Sequence, residues 1–211
     1  MTQLLTVWGR ASSVNVMKVL WLCEELSIPH ERIDAGGEYG RTTEPFYLAM
    51  NPNSRVPTIE EPDGYALWES NSILRYLAAS RKPGDPIHPT APKPRGDVER
   101  WMDWQLATLT GPMTTVFFTY VRTPEARRDM AATARARDEA EALWTIVDRQ
   151  LQGRDYVAGG FSLADIALGP YLHRWFALPI ERAPLVNLEE LYARLRAQHP
   201  GFATHVAVEL T

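Results

Sequence analysis

The first 80 residues alternate between short runs rich in β-forming residues and longer stretches with helical periodicity. The β-rich runs predict strands at 3–8, 30–35, 57–61 and 65–68. The stretches that follow them predict helices at 14–26, 42–50 and 70–79. Because a helix separates the first two strands, we expect these strands to be parallel. The turn Pro62-Asp63-Gly64 predicts a hairpin for the last two. The expected order is βαβαββα.

Closely spaced prolines interrupt this pattern after residue 81. Five prolines favour an extended segment over a helix or a strand: Pro83, Pro86, Pro89, Pro92 and Pro94. We therefore expect an α/β domain at 1–81, a linker at 82–94 and a second domain at 95–211. The second domain shows only helical periodicity, which predicts a helical bundle. Its expected helices are 95–121, with a kink at Gly111-Pro112, and 125–151, 162–175, 188–198 and 202–208.

Composition narrows the function classes. The 22 Lys and Arg against 26 Asp and Glu give a net charge of −4, which argues against a nucleic-acid partner. No apolar run approaches the roughly 18 residues of a membrane span, and residues 1–7 lack the features of a signal peptide. The single cysteine, Cys23, cannot form an internal disulfide, which fits a reducing, cytoplasmic location. It lies on the apolar stripe of the first predicted helix, so we expect it in the core.

The five histidines show no metal-ligand spacing, so we expect no metal site. With one core cysteine, any thiol chemistry needs a thiol brought in from outside. The segment GRASSVN at 9–15 places Ser12, Ser13 and Asn15 near the N-terminus of the first helix. A hydroxyl there can donate a hydrogen bond to a thiolate and lower its pKa, with the helix dipole behind it. The alternative role for the serine is plain N-capping.

The segment NPNSRVPT at 51–58 contains Val56-Pro57 where a loop enters a strand. A cis bond at this proline would leave the Val56 N–H and C=O free to pair with an extended peptide ligand. The alternative is an ordinary proline at the start of a strand.

The segment ESNSI at 69–73 begins the helix after the fourth strand. Its free N–H groups, with Ser70 as the cap, suit a carboxylate, and Glu69 beside them suits an ammonium. Together they would fit the head group of an α-amino acid, although a plain helix cap explains the same residues. The segment Ser162–Asp165 (SLAD) matches a capping box, which is a folding feature.

These segments, taken in order, resemble the glutathione S-transferase family, and most closely its bacterial serine-type members. The resemblance rests on SSVN at 12–15, NPNSRVPT at 51–58, ESNSI at 69–73, the proline-rich segment and FSLADI at 161–166. It implies a thioredoxin-like first domain, a helical second domain, a homodimer and glutathione as cosubstrate.

The same resemblance implies a role for each candidate residue. Ser13 matches the thiol-activating position and Asn15 its partner. Val56, before Pro57, would pair with the cysteinyl backbone of glutathione. The remaining contacts would be Arg55 to the glycyl carboxylate and Glu69 with Ser70 to the γ-glutamyl head. Two departures from the family pattern are Val14, where a proline is often found, and Ser54-Arg55 in place of the commoner Gly-Lys.

The function that follows is conjugation of the glutathione thiolate to a small electrophile. Arg10, beside the expected thiol site, would favour anionic electrophiles such as halogenated acids, unless it is simply a surface arginine. Two alternatives remain at this stage. One is a glutathione-dependent disulfide or peroxide reductase that uses no protein cysteine. The other is a non-enzymatic binding protein on the same fold.

Overall fold

A four-stranded mixed sheet forms the first layer of the protein. The computed structural model describes residues 4–211, so the predicted start of the first strand at Gln3, and residues 1–3 of the N-terminal segment, lie outside the described part. The strands are β1 (Leu5–Trp8), β2 (His30–Ile33), β3 (Thr58–Glu60) and β4 (Ala66–Trp68). Their order is β2-β1-β3-β4. β1 pairs with β2 in parallel and with β3 antiparallel, and β3 forms the predicted hairpin with β4.

Three helices accompany the sheet and complete the predicted βαβαββα order. They are α1 (Val14–Glu25), α2 (Pro45–Met50) and α3 (Ser70–Arg81). The apolar stripe predicted on α1 understates its burial, because every residue from Val14 to Cys23 except Asn15 is buried. The helix packs against the sheet on one side and against the helical domain on the other. Cys23 is 1% exposed, as expected for a core residue, and burial raises the pKa of its thiol to about 12.

The second part of the chain is helical. Its helices are α4 (Pro92–Trp104), α5 (Thr110–Phe117), α6 (Met130–Gln150), α7 (Leu163–Ala177), α8 (Val186–Gln198) and α9 (Pro200–His205). The prediction that the linker stays extended up to residue 94 is wrong for its last residues, because α4 already begins at Pro92. A proline in the first helical turn sacrifices no hydrogen bond, since the N–H groups there have no intrahelical partner. The division into domains at 1–81 and 95–211 stays a prediction.

The helix predicted over 95–121 is divided by a π-helical turn, Gln105–Leu109, which comes just before Gly111-Pro112. Pro112 has no N–H to donate to the carbonyl four residues earlier, and the wider turn lies where that bond is missing. A second π-turn, Phe118–Arg122, ends this stretch. The helix predicted from residue 125 instead begins at Met130, because the Asp129 carboxylate caps it by accepting from the Ala132 N–H at 2.9 Å.

Close packing of α1 against the helical domain centres on Trp21. A Cβ atom added to Gly169 of α7 would lie 2.4 Å from the Trp21 ring, so only glycine permits this approach. The capping box predicted at Ser162–Asp165 starts α7, and its carboxylate is fully buried. Within residues 4–211, no helix is both long and apolar enough to cross a membrane.

Candidate functional site

The loop between β1 and α1 is held tightly against its neighbours. A Cβ atom on Gly9 would lie 2.4 Å from Cγ2 of Val16, so the loop backbone lies directly on α1. Ser13 is the N-cap residue of α1 and is buried, yet its side chain makes no capping hydrogen bond. No partner for its hydroxyl is found anywhere in 4–211. The simple capping role is therefore not filled, and the hydroxyl remains available at the positive end of a twelve-residue helix.

The segment that carries Val56 lies beside this loop, since the same added Cβ on Gly9 would be 3.2 Å from Cβ of Val56. The Val56-Pro57 peptide bond is cis. Val56 is half-buried, and its N–H and C=O form no hydrogen bond with the described residues. Arg55 is anchored through its backbone: its C=O accepts from the Tyr47 hydroxyl at 2.8 Å and from the Asn51 amide at 2.9 Å. Its side chain is exposed.

Ser54, one of the two departures from the family pattern, has φ of 54°, in the left-handed region where glycine is free of steric cost. The commoner glycine thus has a conformational reason at this position.

The N-terminus of α3 meets the N-terminus of α1. Ser70 is the first helical residue and not the cap, so the capping role predicted for it is wrong; Glu69 is the cap residue, with φ of 73°. The buried Ser70 hydroxyl donates to Oδ1 of Asn15 at 3.3 Å instead. This bond joins the two helix ends, so a carboxylate at α3 and a thiolate at α1 would be neighbours. The Glu69 side chain is exposed at this junction.

A buried lysine lies behind the junction, and the sequence reasoning missed it. Lys18 of α1 is 0% exposed and donates to Oε1 of Gln105 at 2.7 Å and to Oδ1 of Asn71 at 3.4 Å. Its ammonium also lies 5.4 Å from the centre of the Tyr171 ring. Burial lowers the pKa of Lys18 to about 7, against a smaller opposing effect of the Glu69 charge. A lone charge in the otherwise apolar run of α1 was the available clue.

Arg10 lies in the β1–α1 loop, and the charges of Arg122 and Arg174 from the helical part of the chain act on this region. Burial lowers the pKa of Arg10, and the charge of Arg122 lowers it further. Arg174 of α7 is 7% exposed, and its guanidinium lies 3.4 Å from the centre of the Phe117 ring. Its Nη2 reaches the Ser12 carbonyl at 3.5 Å. Sequence reasoning identified Arg10 alone, because Arg174 and Arg122 come from helices more than 100 residues further along the chain.

A cavity of about 510 Å³ opens on one side of this loop. Its lining includes Arg10, Ala11 and Ser12, together with Thr204 and Val208 from the C-terminal part of the chain. Ser13, Val56 and Ser70 do not line it. In the described part of the chain, no three His, Cys, Asp or Glu side chains cluster in a way that could hold a metal ion.

Comparison with known proteins agrees with this architecture. The family models for the glutathione S-transferase N-terminal and C-terminal domains match residues 12–80 and 130–207. Glutathione S-transferase GstB of Escherichia coli K12 is 38% identical over 194 residues, which cover 91% of this chain and 93% of that protein. The theta class glutathione S-transferase of Xanthomonas axonopodis pv. citri, solved with glutathione bound, superposes with a TM-score of 0.93. It is 42% identical, with coverage of 98% of this chain and 99% of that one. Its apo form gives a TM-score of 0.84 at 38% identity, with 98% of both chains covered. The family-level resemblance in the sequence is thereby confirmed, and the chain belongs to the glutathione S-transferase family.

Proposed function

We propose that this enzyme binds glutathione across the junction of α1 and α3, activates its thiol with Ser13 and conjugates it to a small electrophile. The observation that carries the proposal is the free hydroxyl of Ser13 at the N-cap of α1. A hydrogen bond from this hydroxyl, added to the helix dipole, stabilises a thiolate over a thiol. A thiol pKa lowered by about two units corresponds to about 2.7 kcal/mol, which one charge-assisted bond and a dipole can supply.

The peptide backbone of glutathione would lie along Val56. Its N–H and C=O have no partner in 4–211 and would pair with the cysteinyl residue as an added strand does. Pro57 would set the direction of this backbone, and the exposed Arg55 would contact the glycyl carboxylate, for which its forked guanidinium is well suited.

The γ-glutamyl head would bind at the start of α3. Its carboxylate would accept from the free backbone N–H groups at the helix N-terminus, that of Ser70 among them, while its ammonium would pair with the exposed Glu69. Asn15 would link this subsite to the thiol. Its Oδ1 already accepts from Ser70, which leaves its N–H₂ group free to donate toward the ligand.

Replacing Ser13 tests the mechanism. In Ser13→Ala, we expect glutathione still to bind, since Val56, Arg55, Glu69 and Ser70 make most of its contacts. The pKa of the bound thiol should rise, and the conjugation rate near neutral pH should fall by about 100-fold, the effect of losing one preorganised donor. The measurement is thiolate absorbance of bound glutathione against pH, alongside kcat for an electrophile.

Ser12→Ala is the matched control and should change both quantities much less. An unchanged thiol titration in Ser13→Ala would show that another group activates the thiol. Rapid reduction of disulfides or peroxides with two glutathiones consumed, and no conjugation of any electrophile, would favour the reductase alternative instead.

The functional unit would be a homodimer in the cytoplasm, where glutathione and a reduced, buried Cys23 are compatible. Sedimentation at micromolar concentration should give about twice the chain mass of 23.9 kDa. A single species at the monomer mass across that concentration range would contradict the dimer.

A further inference from the structure

Two hydrogen bonds, one behind the other, join the N-terminal parts of α1 and α3. Asn15 and Lys18 lie three positions apart on α1 and therefore on the same face of the helix. Asn15 accepts from the Ser70 hydroxyl at 3.3 Å. The Lys18 ammonium donates to Oδ1 of Asn71, the next residue of α3, at 3.4 Å. A buried amine thus lies behind the first turn of α3, where the γ-glutamyl head is proposed to bind.

The two amide groups around Lys18 are oriented to accept from it. Asn71 donates from Nδ2 to the Met102 carbonyl at 2.8 Å, which leaves its Oδ1 facing the ammonium. Gln105 donates from Nε2 to the Thr110 hydroxyl at 2.9 Å, and its Oε1 faces the ammonium at 2.7 Å. Both acceptors are uncharged, so they fix the position of the ammonium without neutralising its charge.

No carboxylate of residues 4–211 forms an ion pair with Lys18, although its side chain is 0% exposed. Two titratable groups contact it or act on its charge. The Tyr171 ring of α7 lies 5.4 Å from Nζ, and burial raises the pKa of its phenol, which is therefore neutral. Glu69, the cap residue of α3, is exposed, so water screens much of its charge. A buried cation is costly unless an anion accompanies it, and a ligand could supply that anion.

The charge of Lys18 is sensitive to such a ligand. Burial lowers its pKa to about 7, against a smaller opposing effect of Glu69, so both forms of the amine are populated near neutral pH. An anion on the free N–H groups of α3 would stabilise the charged form and raise this pKa. The ammonium of the γ-glutamyl head would oppose this less, because it would face Glu69 on the exposed side of the junction.

We propose that Lys18 is a positioning residue for glutathione, whose ammonium attracts the γ-glutamyl carboxylate from behind the first turn of α3 and which takes up a proton when that carboxylate binds. The proposal rests on the proposed function, which places the carboxylate on this turn. In the step, the lone pair of the neutral amine takes a proton from the solvent, and no bond to glutathione forms or breaks.

S-Methylglutathione is the probe, because its blocked sulfur removes the thiol and its activation from the measurement. Isothermal titration calorimetry in two buffers of different ionisation enthalpy counts the protons exchanged on binding. At pH 7.5 we expect the wild type to take up about half a proton, the amount that accompanies a tenfold gain in affinity from an amine of pKa about 7. An analogue with 4-aminobutyrate in place of the γ-glutamyl group keeps the amine but lacks the carboxylate, and its binding should take up no proton.

Lys18→Met removes the charge and should abolish the proton uptake. Its Kd for S-methylglutathione should be about tenfold higher than that of the wild type at pH 6, the size expected for a unit charge acting over roughly 10 Å at an effective dielectric constant of about 20. The two Kd values should converge by pH 9, where Lys18 is already neutral. Lys18→Gln keeps a donor without the charge, should behave in the same way, and serves if Lys18→Met does not fold. Lys93→Met, which removes an exposed lysine, should bind as the wild type does at both pH values.

The proposal would be overturned by equal proton uptake in the wild type and Lys18→Met, or by a loss of affinity that is the same at pH 6 and pH 9. Either result would mean that Lys18 only supports the packing of α1 against α3. Binding of S-methylglutathione by the wild type without proton uptake would overturn it as well. Ser13 takes no part in these measurements, so they do not depend on how the thiol is activated. A wild-type protein that does not bind S-methylglutathione at all would refute the proposed function together with this proposal.

Discussion

Between pH 7 and pH 10.5, the free energy of unfolding of the wild-type protein is expected to rise by about 4 kcal/mol relative to that of Lys18→Met. In the folded state the pKa of Lys18 is about 7, because the ammonium is fully buried; its ordinary value is 10.5. Between these two values the unfolded chain binds a proton that the folded chain does not. Stability therefore rises with pH through this window, and the effect disappears once both states are neutral.

The comparison with Lys18→Met isolates this effect from other groups that titrate in the same range, such as Tyr171 and Cys23, which both variants retain. Urea unfolding at half-unit pH intervals measures it. Lys93→Met removes an exposed lysine in the first turn of α4, so its free energy of unfolding should depend on pH as that of the wild type does. Parallel curves for wild type and Lys18→Met would show that the Lys18 ammonium is adequately solvated or paired in the folded state. The sign of the stability difference at pH 7 is a separate matter, since Lys18→Met also leaves the amide oxygens of Gln105 and Asn71 without a donor.

Asp165→Ala is expected to lower the free energy of unfolding by about 3–5 kcal/mol. The carboxylate is fully buried and accepts from the Ser162 N–H at 2.9 Å, the Ser162 hydroxyl at 3.1 Å and the Val157 N–H at 3.1 Å. Removing it would leave these donors buried without an acceptor, and each such donor costs about 1–3 kcal/mol. Burial raises the pKa of Asp165 to about 6, so the carboxylate is ionised at neutral pH, where the measurement belongs.

Asp155→Ala provides the control. It breaks an exposed ion pair with Arg194 and should change stability by less than about 1 kcal/mol. Asp165→Asn keeps one acceptor oxygen, so its loss of unfolding free energy should lie between those of Asp155→Ala and Asp165→Ala. A loss of about 1 kcal/mol or less in Asp165→Ala would indicate an ordinary surface cap and would contradict a role in fastening the 157–162 loop to α7.

The elements of the fold could be predicted because their determinants are local. Three such determinants act over a few residues: the alternation of apolar residues, the Pro62-Asp63-Gly64 turn and the capping box at Ser162–Asp165. The structure contains the strands, the hairpin and the helix that they predict. The residues at which helices begin and end were less predictable. Prolines at 92 and 94 indicate an extended chain locally, yet they occupy the first turn of α4, where proline is well tolerated.

The residues proposed for glutathione were also named from local motifs, since each lies at a helix N-terminus or beside a strand-opening proline. Their interactions could not be named in the same way. The sequence suggests a cap at Ser70, whereas the folded chain pairs its hydroxyl with Asn15, 55 residues earlier. This contact exists because the N-termini of α1 and α3 meet. Their meeting depends on the packing of the whole domain and cannot be predicted from any short segment of sequence.

The sequence by itself determined the order of strands and helices, the family and the residues at the two helix ends. Only the tertiary structure decided which charges are buried and what faces them. Lys18 is surrounded by Asn71, Gln105 and Tyr171, and Arg174 meets Ser12 across 162 positions of the chain. The physical reason is that the energy of a charge depends on all the groups around it in space, whereas a helix or a turn depends mainly on neighbours in sequence.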